Sequence, residues 1–327
     1  MHTKIVYVLV SSEHDIYLEQ AYVSMSSVRY YMPDAYIVLV TDVATAETFE
    51  GTRESKVSIA NEIIKVDLDA KKYNAQKRSR LLKTSVRNYV QGDYIFIDTD
   101  TIIVKPLDDI DNISTDIAAC WDTHSLAKSS PFYYMTLRDG RKLNWDIEHE
   151  EEYFNSGVIY VKDSETSRKF YELWHKNLQE GYKYGVTMDQ PSFAKTNSEM
   201  GHIIRRLPDV WNCQLKYGIK YLKDAKIVHY LTTNRSHNKS KQLFVLNDAD
   251  VFDRQRKNAE LDETILKTIK DPFYGLADVT HCFAGDDVLY FSTILYDFTR
   301  SLYKTRSAKV LEFLIRVYCK IKRIFCR

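Results

Sequence analysis

The sequence predicts an α/β fold, a doubly wound and mostly parallel sheet with a helical C-terminal extension, on three observations. Short apolar runs of strand length, such as Ile5–Val10, Ile37–Val40 and Tyr94–Ile97, alternate with segments of helical period, the order that builds a parallel sheet covered on both faces. Three of these runs end on polar side chains: Ser11 and Ser12, Asp42, and Asp98 with Asp100. In doubly wound sheets that edge, beyond the carboxyl ends of the strands, is where ligands bind. The chain has 327 residues, 44% of them hydrophobic, with only 10 Gly and 6 Pro, enough for one large domain and an appendage.

The opening βαβ unit runs from a strand over 4–10 through an amphipathic helix over 19–31, stopped by Pro33, to a strand over 36–40 ending at Asp42. A further helix and a strand over 63–66 continue it. Leu81, Leu82, Ser85, Val86, Tyr89 and Val90 recur at helical spacing, and Gly92 closes that helix before the strand 94–97. A strand over 116–121 leads into a polar, aromatic stretch over 122–152 with no clear period, a length that in a compact domain points to function. The strand 154–161 follows. Ser164 caps a helix ending at Gly181, Asp189 precedes a short helix, and 227–230 is the last core strand. The expected divisions are a main domain over 1–240, a mainly helical extension over 241–300 and a terminal helix over 301–327. There are no internal repeats.

Charge is uneven. The chain as a whole carries +1, yet residues 300–327 hold nine Lys or Arg against the single acid Glu312, which leaves the body acidic. An acidic body argues against a nucleic-acid partner. Over 309–327 a helical wheel places Val310, Leu311, Leu314, Val317, Tyr318, Ile321, Ile324 and Phe325 on one arc, opposite Lys309, Arg316, Lys320, Arg323 and Arg327. That pattern suits an anchor on an anionic membrane surface, with packing on the body or coiled-coil pairing as the alternative. No apolar stretch reaches about 18 residues and the N-terminus lacks a signal-peptide layout, so a cytoplasmic protein, peripheral on the inner face of the membrane, is expected. Five cysteines without paired spacing are expected to be free thiols.

At Tyr94-Ile-Phe-Ile-Asp98-Thr-Asp100 a buried strand runs straight into two carboxylates. Burying such a pair costs several kcal/mol unless a cation or other partner compensates it. A divalent metal carrying a phosphorylated ligand is one such partner. Capping of the turn into Ile102-Ile103-Val104 is the other reading.

Further landmarks follow in order: Phe154-Asn155-Ser156-Gly157-Val158, Asp189-Gln190, Leu207-Pro208 with Trp211-Asn212, and His229 at a strand end. Over about residues 1–240 the set resembles the GT-A glycosyltransferases of family 8, the retaining group that includes glycogenin and bacterial lipopolysaccharide α-galactosyl- and α-glucosyltransferases. The resemblance implies a GT-A fold and a Mn²⁺ or Mg²⁺ ion held by Asp98, Asp100 and His229, the imidazole tilting the choice to Mn²⁺. It implies a UDP-hexose donor contacted by Ser11, Asp15, Tyr17, Arg80, Thr99, Asn155, Ser156 and Arg235, with Asp189 and Gln190 near the anomeric carbon. Lys77, Arg78 and Lys83 compete with Arg80 for its role, and His237 shares the region of Arg235. Two departures stand out. The segment around Arg235 lacks the family's Gly, Pro and Trp, and Ser-Ser-Glu-His precedes Asp15 where an acidic pair is usual.

The expected activity is metal-dependent transfer of glucose or galactose, with retention, to an oligosaccharide or lipid-linked glycan of a bacterial surface. Both front-face and double-displacement routes are open. The alternatives are a sugar nucleotidyltransferase, which would carry a Gly-rich phosphate loop where Ser11–Tyr17 has none, and a metal-dependent carbohydrate-binding protein without turnover. Loops 122–152 and 232–275 are expected to set sugar, linkage and acceptor.

Overall fold

The computed structural model describes residues 1–231, 244–276, 293–302 and 306–325. They fall into two compact units, Met1–Ala277 and Asp278–Arg327. The main sheet of the first unit contains β1 (Lys4–Leu9), β2 (Ile37–Asp42), β3 (Glu62–Val66), β4 (Tyr94–Ile97), β6 (Ile117–Trp121), β7 (Phe154–Val161) and β8 (Arg205–Arg206). Their order is β3-β2-β1-β4-β7-β6-β8. All neighbours are parallel except those of β7, which runs antiparallel to both β4 and β6.

Alternation explains the unbroken apolar strands. Ile5, Tyr7 and Leu9 enter one core with Leu18, Met25 and Leu39, while Val6 and Val8 enter the opposite core with Leu82, Phe96, Phe170 and Trp174. Successive side chains point to opposite faces, so a strand covered on both sides must be apolar throughout. Burying each large side chain stabilises the fold by about 1.5–3 kcal/mol.

The helices that cover the sheet include α1 (Tyr17–Tyr31), α2 (Val43–Ala46), α3 (Thr52–Val57), α4 (Ala75–Ser85), α5 (Tyr133–Lys142), α6 (Glu165–Lys183) and α7 (Asp189–Glu199). Three sequence expectations need correction. The stretch 122–152 is not without period, since α5 lies inside it; its mixed pattern reflects a helix that is exposed along much of its length. Helix α6 continues past Gly181 to Lys183, and Asp189 is the first residue of α7 rather than the residue before it.

A second sheet, in the order β5-β10-β9, joins β5 (Thr101–Ile103), β9 (Cys213–Gln214) and β10 (Ile227–His229). Thr101, His229 and Gln214 pair in one row across it. Helices α8 (Ala249–Lys257) and α9 (Glu263–Lys270) belong to this unit, because Phe244, Val251, Phe252, Ile265 and Ile269 share a core with Ile16, Ile102 and Val228.

The second unit contains helices Ile294–Leu302 and Arg306–Phe325. The longer one exposes Val310, Phe313, Leu314, Ile315, Val317, Tyr318 and Ile321. Among the described residues no helix is long and apolar enough to cross a membrane. Cys120 and Cys213 are buried free thiols.

Candidate active site

The reversed strand β7 builds the site. Its register pairs Ile97 with Val158, so its first residues lie beside the carboxyl end of β4, and the Asp98 N–H donates to the Gly157 carbonyl at 2.7 Å. Asn155, Ser156 and Gly157 are thereby set against Asp98. The second sheet brings His229 to the same place, opposite Thr101.

Asp98, Asp100 and His229 offer two carboxylate oxygens and an imidazole nitrogen that all lie within 4.8 Å of one another. His229 Nε2 is 3.1 Å from Asp100 Oδ1, and its Nδ1 donates to Asn212 Oδ1 at 3.1 Å. Asn212 Nδ2 donates to Asn155 Oδ1 at 2.9 Å, and Asn155 Nδ2 donates to Asp122 Oδ1 at 2.9 Å and to Gln190 Oε1 at 3.4 Å. This chain fixes the ring and turns Nε2 toward the carboxylates, the orientation a metal-binding histidine needs. Burial opposes charging of His229, but Asp100 and Asp98 outweigh it and raise its pKa.

Turn capping does not account for the two acids. Among the described residues neither carboxylate accepts a backbone N–H; the turn is closed by Thr101 Oγ1 donating to the Asp98 carbonyl at 2.9 Å. Burial pushes Asp98 up to about 6 against the pull of Lys83, although 32% of its side chain remains exposed. Gly157 approaches the group too closely to carry a side chain: a Cβ there would stand 2.5 Å from His229 Cε1 and 2.8 Å from Asp98 Oδ2. Two carboxylates, one oriented imidazole and a glycine that keeps the backbone close make a donor set that fits a divalent cation.

Beside this group lies a second. Lys83 Nζ is 3.1 Å from Asp98 Oδ1, 3.0 Å from Asp189 Oδ2 and 3.4 Å from Ser156 Oγ. Ser156 Oγ also donates to Asp189 Oδ2 at 2.9 Å, and Arg80 Nε is 3.5 Å from Asp189 Oδ1. Burial alone would raise Asp189, but Lys83, Arg80 and the Ser156 hydroxyl outweigh it and hold the carboxyl at about 2. Lys83 is itself raised: burial opposes its charge, and Asp189 and Asp98 overcome that. Gln190 Oε1 accepts from the Ser156 N–H at 3.3 Å.

A cleft of about 650 Å³ opens over these residues, lined by Tyr17, Arg80, Lys83, Asp98, Thr99, Asp100 and Asp189 among others. Ser11 and Asp15 form its neighbouring loop: Asp15 accepts from Ser11 Oγ at 2.7 Å, from the Ser12 N–H at 2.7 Å and from the Tyr17 N–H at 3.1 Å. The carboxylate shapes the loop that presents Tyr17. Arg235 and His237 lie outside the described residues.

The basic residues of α4 sort cleanly. Arg78 pairs with the buried Asp42, Lys77 sits over the Tyr182 ring, and Arg80 and Lys83 turn to Asp189. Sequence reasoning treated Lys83 only as a rival to Arg80 and passed over Asp122. Both left a trace: Lys83 follows the core pair Leu81-Leu82, and Asp122 is, like Asp42 and Asp98, an acid at the end of a buried strand.

No family model matches the chain, and no curated protein matches it either. Solved structures do. The apo structure of the bifunctional glycosyltransferase WbbM is 18% identical, with a TM-score of 0.52 over 81% of this chain and 51% of that one. The galactosyltransferase LgtC in complex with donor and acceptor sugar analogs is 13% identical, with a TM-score of 0.50 over 80% and 98%. The glycosyltransferase GlyE of Streptococcus pneumoniae TIGR4 is 15% identical, with a TM-score of 0.51 over 84% and 65%. The fold is GT-A. The sheet explains why the end of β4 meets the start of β7, and why Asp122 at the end of β6 reaches Asn155; at these identities the likeness is one of fold.

Proposed function

We propose that this chain is a metal-dependent retaining glycosyltransferase of the family 8 kind, moving glucose or galactose from a UDP-sugar to a saccharide acceptor in bacterial surface glycan synthesis. The observation that carries the reading is the convergence of Asp98, Asp100 and His229 on a GT-A cleft whose other wall is the Lys83–Asp189–Ser156 group. The binding of donor and acceptor sugar analogs by LgtC, a protein of the same fold, supports a sugar donor and a sugar acceptor here.

Asp98, Asp100 and His229 would hold Mn²⁺ or Mg²⁺. Bound there, the ion would offset the charge that grows on the diphosphate as the sugar bond breaks. The protein's own groups do the rest. Tyr17, on its Asp15-bound loop, offers a ring to the uracil, and Ser11 and Thr99 offer hydroxyls to the nucleotide. Arg80 and Asp189 face the sugar, with Asn155, Ser156 and Gln190 beside them. Asp189 is a poor nucleophile, since Lys83, Arg80 and Ser156 occupy its oxygens, and Gln190 Oε1 already accepts from Asn155 and the Ser156 N–H. This favours front-face transfer. The bond from carbon one to the phosphate oxygen breaks, the acceptor oxygen bonds carbon one on the same face, and its proton passes to the departing diphosphate.

The apolar arc of the terminal helix, exposed at Val310, Leu314, Val317, Tyr318 and Ile321, together with Lys309 and Arg316, supports docking on an anionic lipid surface, and so a peripheral position on the inner face of the membrane. Mass spectrometry of a panel of UDP- and GDP-sugars incubated with the protein and Mn²⁺ tests the activity. Release of UDP from one hexose donor, abolished by chelator, is expected; no nucleotide release from any donor overturns the reading.

A further inference from the structure

Thr123 and His124, the two residues after Asp122, have φ values of 56° and 55°, in the left-handed region that a β-branched residue rarely enters. Such backbone persists only where its surroundings hold it, and it clusters where function needs a fixed geometry. Gln214 does the holding. Its buried side chain accepts from the Thr123 N–H at 3.1 Å through Oε1 and donates to the Trp121 carbonyl at 2.8 Å through Nε2, bracketing Asp122 on both sides. Its backbone N–H donates to His124 Nε2 at 3.0 Å, and His124 Nδ1 lies 3.3 Å from Asp209 Oδ1.

The product of this turn is the placement of Asp122, whose Oδ1 accepts from Asn155 Nδ2 at 2.9 Å beside Gln190. Gln214 also stands in the sheet row that carries His229. One strand pairing therefore sets both the imidazole and the clamp.

We propose that Gln214 is a positioning residue: it holds the left-handed turn that aims Asp122 at Asn155 and Gln190, and ties that arm to the row bearing His229. The inference rests on reading the cleft as a glycosyl-transfer site. Gln214→Met keeps the length of the arm and removes both amide hydrogen bonds. Hydrogen exchange across 119–126 should rise about tenfold or more. In Mn²⁺-supported hydrolysis of UDP-glucose or UDP-galactose, whichever wild type cleaves, kcat should fall about 10- to 100-fold, while UDP affinity stays within about threefold. Adding Thr123→Gly, which enters a positive φ without strain, should recover most of kcat and of the protection. If Gln214→Met does not fold, Gln214→Asn, which keeps the amide on a shorter arm, is read in the same way. Unchanged exchange overturns the proposal, as does raised exchange with unchanged kcat, or a joint loss of kcat and UDP affinity that Thr123→Gly does not relieve. If wild type cleaves no UDP-sugar the transferase reading fails by itself, and the exchange of Gln214→Met with and without Thr123→Gly still decides the clamp.

Discussion

Lys83 joins Asp189 across the floor of the cleft, Nζ to Oδ2 at 3.0 Å, and the same ammonium reaches Asp98 Oδ1 at 3.1 Å. One buried cation thus serves two acids from different elements, Asp98 of the Asp98–Asp100–His229 group and Asp189 at the start of α7. Asp98 can lend its oxygens to a divalent ion while Asp189 keeps its partner.

The pairing predicts a pH dependence. Asp189 is held at about 2, below its ordinary 3.8, so its contribution is fully present above pH 4 and is lost as pH falls toward 2. The size is about 2 kcal/mol at neutral pH and about half of that near pH 3. Urea unfolding of wild type and Asp189→Asn at pH 6 and pH 3 checks this. A stability difference that does not shrink at pH 3 would show that the carboxylate is not held low.

Asp98→Asn or Asp100→Asn should cut Mn²⁺-supported donor cleavage about 100-fold or more, with thermal melting changed by only a few degrees. Mn²⁺ titration followed by calorimetry should show the same loss. Full activity in either variant, or wild-type activity that survives excess chelator, would be incompatible with the metal assignment.

Gly157→Ala tests the tightness of the same group. The added carbon would meet Asn155 Oδ1 at 2.9 Å as well as His229 and Asp98, so something must shift. A destabilisation of about 1–3 kcal/mol is expected, together with weaker Mn²⁺ binding. Unaltered metal affinity would mean that the close approach is incidental.

On the proposed sugar-side role of its amide, Gln190→Ala should slow transfer about tenfold or more and leave UDP binding within about threefold. Equal losses in rate and UDP affinity would move Gln190 out of that role.

A chain ending near Ser307 should keep UDP-sugar hydrolysis and lose co-sedimentation with anionic vesicles. Salt should weaken binding of the full chain only in part, since charge is screened over about 8–10 Å while apolar contact is not. Vesicle binding that survives truncation would rule out the tail as the anchor.

What the sequence made legible follows from local pattern. Strands buried on both faces announce themselves by apolar runs, and Asp98, Asp100, Asn155 and His229 sit at their ends, where an acid, amide or imidazole is conspicuous. The direction of β7 was not legible, because parallel and antiparallel strands in a covered sheet carry the same apolar pattern. Lys83 was hidden among Lys77, Arg78 and Arg80, whose partners become distinct only when Asp42, Tyr182 and Asp189 are brought together by distant pairings. Asp122 was obscured by its aromatic surroundings, and Thr123 and His124 carry no glycine to announce a left-handed turn.

The reversed strand has a wider implication. Trp121 at the end of β6 pairs with Phe154 at the start of β7, so the 122–153 excursion leaves and rejoins the sheet at adjoining positions. Such a closed arm is an exchangeable cassette: its anchors are fixed by the sheet, and doubling its length costs only about 0.6 kcal/mol of closure entropy. The arm beyond its first turn can therefore change in length and sequence while the strand ends, and Asp122 held by Gln214, stay in register.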